Sequence, residues 1–232
     1  MEHIDLSSIS TCSSRARRTG KIRRFSATER LLHWSFALPQ IVLMVTGGLL
    51  LFSASRSGES ASKLNLTTLH RIAAVCYILA PFLVFMSGDA KILLRNIKLA
   101  FSWDRNDFRW FYGSFMKLFI PSTTMPAVAK FNAGQKLNML IVMSMGVGFV
   151  VSGLIMWLSD GLLLAWFIHA SLFPFAVLTV LGHMYMAVLH RSTRPSFWAI
   201  IHGDVDREWA DHHHPRWAGT VEEPCTDEDP QS

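Results

Sequence analysis

Of the 232 residues, half are hydrophobic and only 17% are charged, where soluble domains carry roughly 25%. The 22 Lys and Arg outnumber 17 Asp and Glu for a formal charge of +5, and long apolar runs alternate with basic connectors. This is the pattern of a polytopic membrane protein; it excludes a disordered chain and argues against a soluble enzyme or a nucleic-acid partner.

Residues 1–27 are polar and basic, with Arg15, Arg17, Arg18, Lys21, Arg23 and Arg24. They lack the short apolar core of a cleavable signal peptide and read as a cytoplasmic N-terminal arm. Residues 28–190 hold four segments long enough to cross a bilayer, 31–52, 69–86, 137–158 and 162–189, since a hydrocarbon core of roughly 30 Å needs about 20 helical residues. Pro174 predicts a kink in the last. Residues 191–232 form a tail whose end, 226–232, is acidic and polar. The fold class expected is an all-α membrane protein, a four-transmembrane-helix bundle.

The connectors set its orientation. Between the second and third segments lie Lys91, Arg95, Lys98, Arg105, Arg109, Lys117 and Lys130, and the tail adds Arg191, Arg194, Arg207 and Arg216. The first link offers Arg56 and Lys63; the third is Ser159-Asp160-Gly161. The positive-inside rule predicts both termini and the middle loop on the cytoplasmic side of a bacterial inner membrane.

Cys12, Cys76 and Cys225 show neither C-x-x-C nor C-x-x-C-H spacing, so an attached c-type haem, an iron–sulfur cluster and a cysteine zinc site are not expected. Cys76, inside an apolar run, reads as a small buried hydrophobe.

Histidines carry the functional signal, because an imidazole in a membrane helix needs a partner. Topology pairs four of them by depth: His33 with His183 near the cytoplasmic side, His70 with His169 near the other. His169 and His183 are fourteen residues apart, about 21 Å along a helix and only about 40° apart around it. Phe173, Ala176 and Val180 lie between them on that face. Two imidazoles per level are too few for a zinc site. They suit a b-type haem, whose porphyrin supplies the remaining nitrogens; two axial ligands favour electron transfer over oxygen chemistry. His190, seven residues beyond His183, is an alternative inner ligand. Gly47, Gly48, Gly146, Gly148 and Gly153 predict close helix packing. His212, His213 and His214 read as surface or partner-contact residues, and Arg30 and Arg71, each beside a ligand, as propionate partners or interfacial anchors.

Over residues 24–217 the sequence resembles the cytochrome b (gamma) subunit of respiratory formate dehydrogenases. The resemblance rests on Glu29-Arg30-Leu31-Leu32-His33-Trp34, Leu69-His70-Arg71, Lys130-Phe131-Asn132-Ala133-Gly134-Gln135-Lys136, Ile168-His169-Ala170, His183-Met184-Tyr185-Met186-Ala187, Gly203-Asp204-Val205 and His213-His214-Pro215-Arg216-Trp217. It implies two haem b groups, the outer on His70 and His169, the inner on His33 and His183. It also implies a quinone site (menaquinone or ubiquinone) at Asn132, Gly134 and Gln135. Asn and Gln can donate to quinone carbonyls, and Gly permits close backbone approach; taken alone, the same stretch reads as a helix cap. The implied partners are an iron–sulfur (beta) subunit and, through it, a molybdenum or tungsten catalytic (alpha) subunit, so the chain would supply the quinone-reduction site but not the formate-oxidation site. Equivalent haem subunits of hydrogenases or sulfur-compound reductases are the alternative, and a non-redox anchor or transporter is the alternative of another class. The sequence lacks the repeated halves of a transporter.

Overall fold

The computed structural model describes residues 20–53, 61–159 and 161–221. Cys12, Cys225, Arg15, Arg17, Arg18, Arg56, Asp160 and the run 226–232 lie outside the described residues, as does the connection between the first two helices.

Four long helices are apolar enough to cross a membrane: α1 (Ala27–Ser53), α2 (Ala61–Ser87), α5 (Ala133–Leu158) and α6 (Leu163–Met184). The two middle elements, α3 (Ala90–Phe101) and α4 (Arg105–Met116), are short and amphipathic. A π-helical turn, Tyr185–Leu189, extends α6; then come α7 (Arg194–His202), α8 (Arg207–His213) and α9 (Pro215–Ala218). Strand β1 (Lys21–Arg23) pairs antiparallel with β2 (Asp204–Asp206), Ile22 opposite Val205.

Local chemistry starts the helices where they start. Ser26 and Glu29 form a capping box on α1: the Glu29 carboxylate accepts from Ser26 N at 2.8 Å and the Ser26 hydroxyl from Glu29 N at 3.3 Å. Asp89 caps α3, and Asp104 caps α4 in a box with Asp107. Asn132 caps α5 in a box with Gln135, so the reading of this stretch as a helix cap holds and α5 begins four residues before 137. Likewise α2 begins well before residue 69. The basic connector at 87–132, expected as a loop, is built largely of α3 and α4: their apolar periodicity was hidden by its charge.

Helix α1 packs along α2 and α5 along α6; α1 and α6 join the two hairpins. Large side chains such as Leu38, Ile41, Leu79, Leu83, Phe175 and Leu178 point outward and are exposed, as hydrocarbon requires of a bundle whose surroundings are as apolar as its interior. Cys76 is also exposed. This corrects its expected burial: an apolar run in a membrane helix does not distinguish a core face from a lipid face.

One end of the bundle is capped. There the N-terminal strand, β2 and α7–α9 close over a small core of Ile22, Ala199, Val205, Ala210 and Ala218. Gly203 turns the chain between α7 and β2 at φ 107°, a conformation that favours glycine; its carbonyl accepts from Arg24 N and Phe25 N. Arg24 is 2% exposed, lies against Phe25, Trp209 and Trp217, and donates from Nη2 to His214 Nε2 at 2.9 Å. His214 must then donate from Nδ1 to Ala129 O, at 2.7 Å, because a carbonyl only accepts. His214 is therefore a buried neutral strut, which corrects the surface reading for this one of the three; His212 is exposed and His213 half-buried. Residues 20–27 and 191–221, separate pieces in the sequence, are joined in one cap.

Burial and the neighbouring Arg24 charge hold the His214 imidazole down at about 3. Unfolded, it would titrate near 6.5. Below that value the unfolded chain binds a proton that the folded cap refuses, so stability falls with pH, and it is fully present above about 6.5. Going from pH 7 to pH 5 is expected to cost the cap about 2 kcal/mol. Thermal unfolding of His214→Gln against the parent at the two pH values checks this: the parent's pH-dependent loss should shrink by that amount.

Candidate haem and quinone sites

Two histidine pairs face each other inside the bundle. His33 on α1 and His183 on α6 have ring centres 6.3 Å apart; His70 on α2 and His169 on α6 are also 6.3 Å apart. The first pair lies toward the capped end and the second toward the opposite, open end. His190 does not compete for the first position: beyond the π turn its ring meets Tyr185, and its Nδ1 hydrogen-bonds with the Ser192 hydroxyl at 3.1 Å. The structure thus brings His183, and not His190, to His33.

The open-end pair reveals its tautomers. Thr46 donates its only hydroxyl proton to Val42 O at 2.7 Å, so toward His70 Nδ1, also at 2.7 Å, it can only accept. Ser152 likewise donates to Gly148 O at 2.6 Å and accepts from His169 Nδ1 at 2.9 Å. Both imidazoles therefore carry their proton on Nδ1 and keep the Nε2 lone pair, the arrangement in which a metal-ligating histidine is fixed by a second hydrogen bond. Thr46 and Ser152 are buried. Gly47 and Gly153 make room: a Cβ at either would stand 3.2 or 3.3 Å from Cε1 of His70 or His169. At the capped end, His33 Nδ1 is buried and has no hydrogen-bond partner among the described residues.

The spacing fits an axial pair. With metal–imidazole bonds of about 2.0 Å and each ring centre about 1.1 Å behind its nitrogen, two imidazoles on one metal place their centres about 6.2 Å apart. Direct hydrogen bonding between the rings would draw them closer. Between the pairs, Tyr77, Gly146, Phe149, Ala176 and Val180 surround a cavity of ≈ 40 Å³ into which Gln40 and Thr179 also open. Gly48 and Gly148 receive Phe173 and Leu172, so those glycines serve side-chain packing.

The third predicted group lies at the start of α5. Asn132 Oδ1 accepts from Gln135 N at 2.8 Å and Gln135 Oε1 from Asn132 N at 3.0 Å. The cap uses both side-chain oxygens and leaves both NH2 groups for other acceptors. Helices α5 and α6 pack together antiparallel, and Ser152 meets His169; fourteen residues back, about 21 Å, Asn138 falls level with His183, with Gln135 about one turn beyond. Gly134 packs against Trp110. Asn132 also lines a ≈ 200 Å³ cavity with Trp103, Asp107, Trp110 and Lys136, which Gly134 and Gln135 do not line.

Two buried ion pairs frame this region, and neither is readable from local sequence because each joins distant segments. Lys130 bridges to Glu29, and Asn96 bonds to both. Burial draws the Lys130 ammonium below its usual range, opposed by the Glu29 carboxylate. Lys136 Nζ bonds both Asp107 oxygens, at 3.0 and 2.8 Å, and Ser102 O at 2.8 Å, tying the corner between α3 and α4 to α5. Arg30 donates to Ile201 O at 2.7 Å, and Arg71 lies over Trp157.

Four membrane-length helices carrying two opposed histidine pairs define a haem-binding membrane cytochrome of the b type. The chain belongs to the prokaryotic cytochrome b561 family, whose model matches residues 24–203, and it is a multi-pass membrane protein that binds haem b. It is 26% identical over 209 residues to the nitrate-inducible formate dehydrogenase cytochrome b556(Fdn) subunit of Escherichia coli K12, covering 87% of this chain and 92% of the relative. It is 26% identical over 208 residues to a formate dehydrogenase cytochrome b556 subunit of Haemophilus influenzae, covering 85% and 82%. The cytochrome b556(fdo) subunit of E. coli K12 formate dehydrogenase is 24% identical over 210 residues, 87% and 93%.

Proposed function

We propose that the chain is the membrane di-haem cytochrome b subunit of a formate dehydrogenase, anchoring the complex and carrying electrons from an iron–sulfur subunit across the membrane to quinone. Two matched histidine pairs at opposite depths carry the di-haem reading, and the names of the relatives supply the formate assignment. His70 and His169 would hold one haem, His33 and His183 the other. When bound, each haem would supply a one-electron redox centre.

The residues of the chain do the rest. Thr46 and Ser152 hold the open-end imidazoles in the ligating tautomer, and Phe149, Phe173 and Ala176 supply apolar packing between the pairs. The basic capped end faces the cytoplasm by the positive-inside rule. There, Asn132 and Gln135 offer NH2 donors to the carbonyl oxygens of a quinone, which takes up two electrons and two protons on reduction, and Gly134 lets Trp110 pack close beside them. The open end faces outward, toward the iron–sulfur subunit and, beyond it, the molybdenum or tungsten subunit that oxidises formate.

Asn132→Asp and Gln135→Glu test the quinone site without disturbing the cap, since each keeps the capping oxygen and removes the NH2 donors. In the complex purified through this chain, formate should reduce the haems at the parental rate in both variants while quinone reduction slows, by about tenfold for each hydrogen bond lost. Unchanged quinone reduction would remove these residues from the site. A complex reduced by hydrogen rather than formate would assign the chain to a hydrogenase.

A further inference from the structure

Helices α3 and α4 lie outside the four membrane-length helices, yet each turns an apolar face outward. On α4, Phe108, Tyr112 and Phe115 recur at helical spacing, with Phe119 just beyond, and are 59–70% exposed. On α3, Leu94, Ile97 and Phe101 recur at helical spacing and are 37–62% exposed. The inner faces are occupied: Leu93 and Ala100 are buried, Asp107 is bonded to Lys136, and Gly113 packs against Met125.

A third face is cationic. Lys91, Arg95, Lys98, Arg105 and Arg109 are exposed, and among the described residues none of them forms an ion pair. The nearby Asp89 and Asp104 direct carboxylate oxygens to the helix N-termini they cap. Both helices are held at the level where the membrane helices end. Only Gly88 and Asp89 separate α2 from α3, Asp89 N donates to the Thr28 hydroxyl in the first turn of α1, and Lys136 ties the corner between α3 and α4 to the first turn of α5.

A helix packed on one side, apolar on the next and cationic on the third fits the boundary between lipid headgroups and acyl chains. We propose that α3 and α4 form an in-plane belt at the capped end, sinking the aromatic stripe into that boundary and binding anionic phospholipid through Lys91, Arg95, Lys98, Arg105 and Arg109. The surface is continuous with the lipid-facing bundle, and its unpaired charge is complementary to anionic headgroups and not to zwitterionic ones. Each cation near such a surface favours it by about fivefold.

The test uses the full chain with its haem in phosphatidylcholine vesicles with or without phosphatidylglycerol. A spin label at Tyr112→Cys, with Cys12, Cys76 and Cys225 replaced by Ala, should be relaxed by oxygen in the lipid phase far more than by an aqueous nickel chelate. Native mass spectrometry should show phosphatidylglycerol retained in preference to phosphatidylcholine. The quadruple variant R95Q/K98Q/R105Q/R109Q should lose that preference by more than about tenfold. The proposal is overturned by a label open to the aqueous reagent, by one shielded from both reagents under a second copy or a partner subunit, or by an unchanged lipid preference. The depth measurement leaves the basic face intact, so it decides the matter even where the quadruple variant does not fold.

Discussion

His183→Ala is expected to remove the haem at the capped end and to leave the one at the open end, while His169→Ala does the reverse. Each pair shares one ring-to-ring distance and draws on a different partner helix, α1 for His183 and α2 for His169. Losing one imidazole therefore deprives one level only, and the other keeps both its ligands. Reduced-minus-oxidised spectra should show half the b-type absorbance in each variant, with different remaining redox midpoints. His190→Ala should retain both haems, since its ring is engaged with Tyr185 and Ser192. Full absorbance in both His169→Ala and His183→Ala would refute the ligand assignment.

A second large effect is expected at Lys130. Its ammonium and the Glu29 carboxylate have side-chain exposures of 10% and 7%, so Lys130→Met leaves a buried carboxylate without its counter-charge. Breaking one side of such a pair costs about 3–5 kcal/mol. Glu29→Gln combined with Lys130→Met removes both charges, keeps the capping box at Ser26 and should recover most of that loss. Thermal unfolding followed through the haem absorbance distinguishes the cases. If the single variant is as stable as the parent, the pair does not hold the capped end to α1.

What the sequence made legible was the periodic part. The fourteen-residue step from His169 to His183 returns a helix to nearly the same face, and connector charge separates the two ends; together these put the four imidazoles in opposing positions. The N-x-x-Q spacing likewise marks the start of α5, whereas the Ser26–Glu29 box that starts α1 comes to light only in the fold. What stayed hidden depends on contacts between distant segments. Lys130 counts as one more connector cation until Glu29 is folded against it, and His214 looks like part of a surface triplet until Arg24 and Ala129 reach its two nitrogens. The hydroxyls of Thr46 and Ser152 carry no sequence signal either, because Ser and Thr in membrane helices commonly bond their own backbone. Both do so here, and for that reason they accept from the histidines.

The open-end histidines each donate from Nδ1 to a hydroxyl, which raises the basicity of Nε2, the nitrogen proposed to ligate, whereas His33 Nδ1 has no such partner among the described residues. The two levels are thus chemically unlike.

The most direct test of the central claim is the ratio of protoporphyrin iron to polypeptide in the purified, folded chain, measured by pyridine haemochrome absorbance against quantitative amino-acid analysis. Two haems per chain are predicted, one for each histidine pair. A folded preparation that saturates at one, whatever haem is supplied, would contradict it.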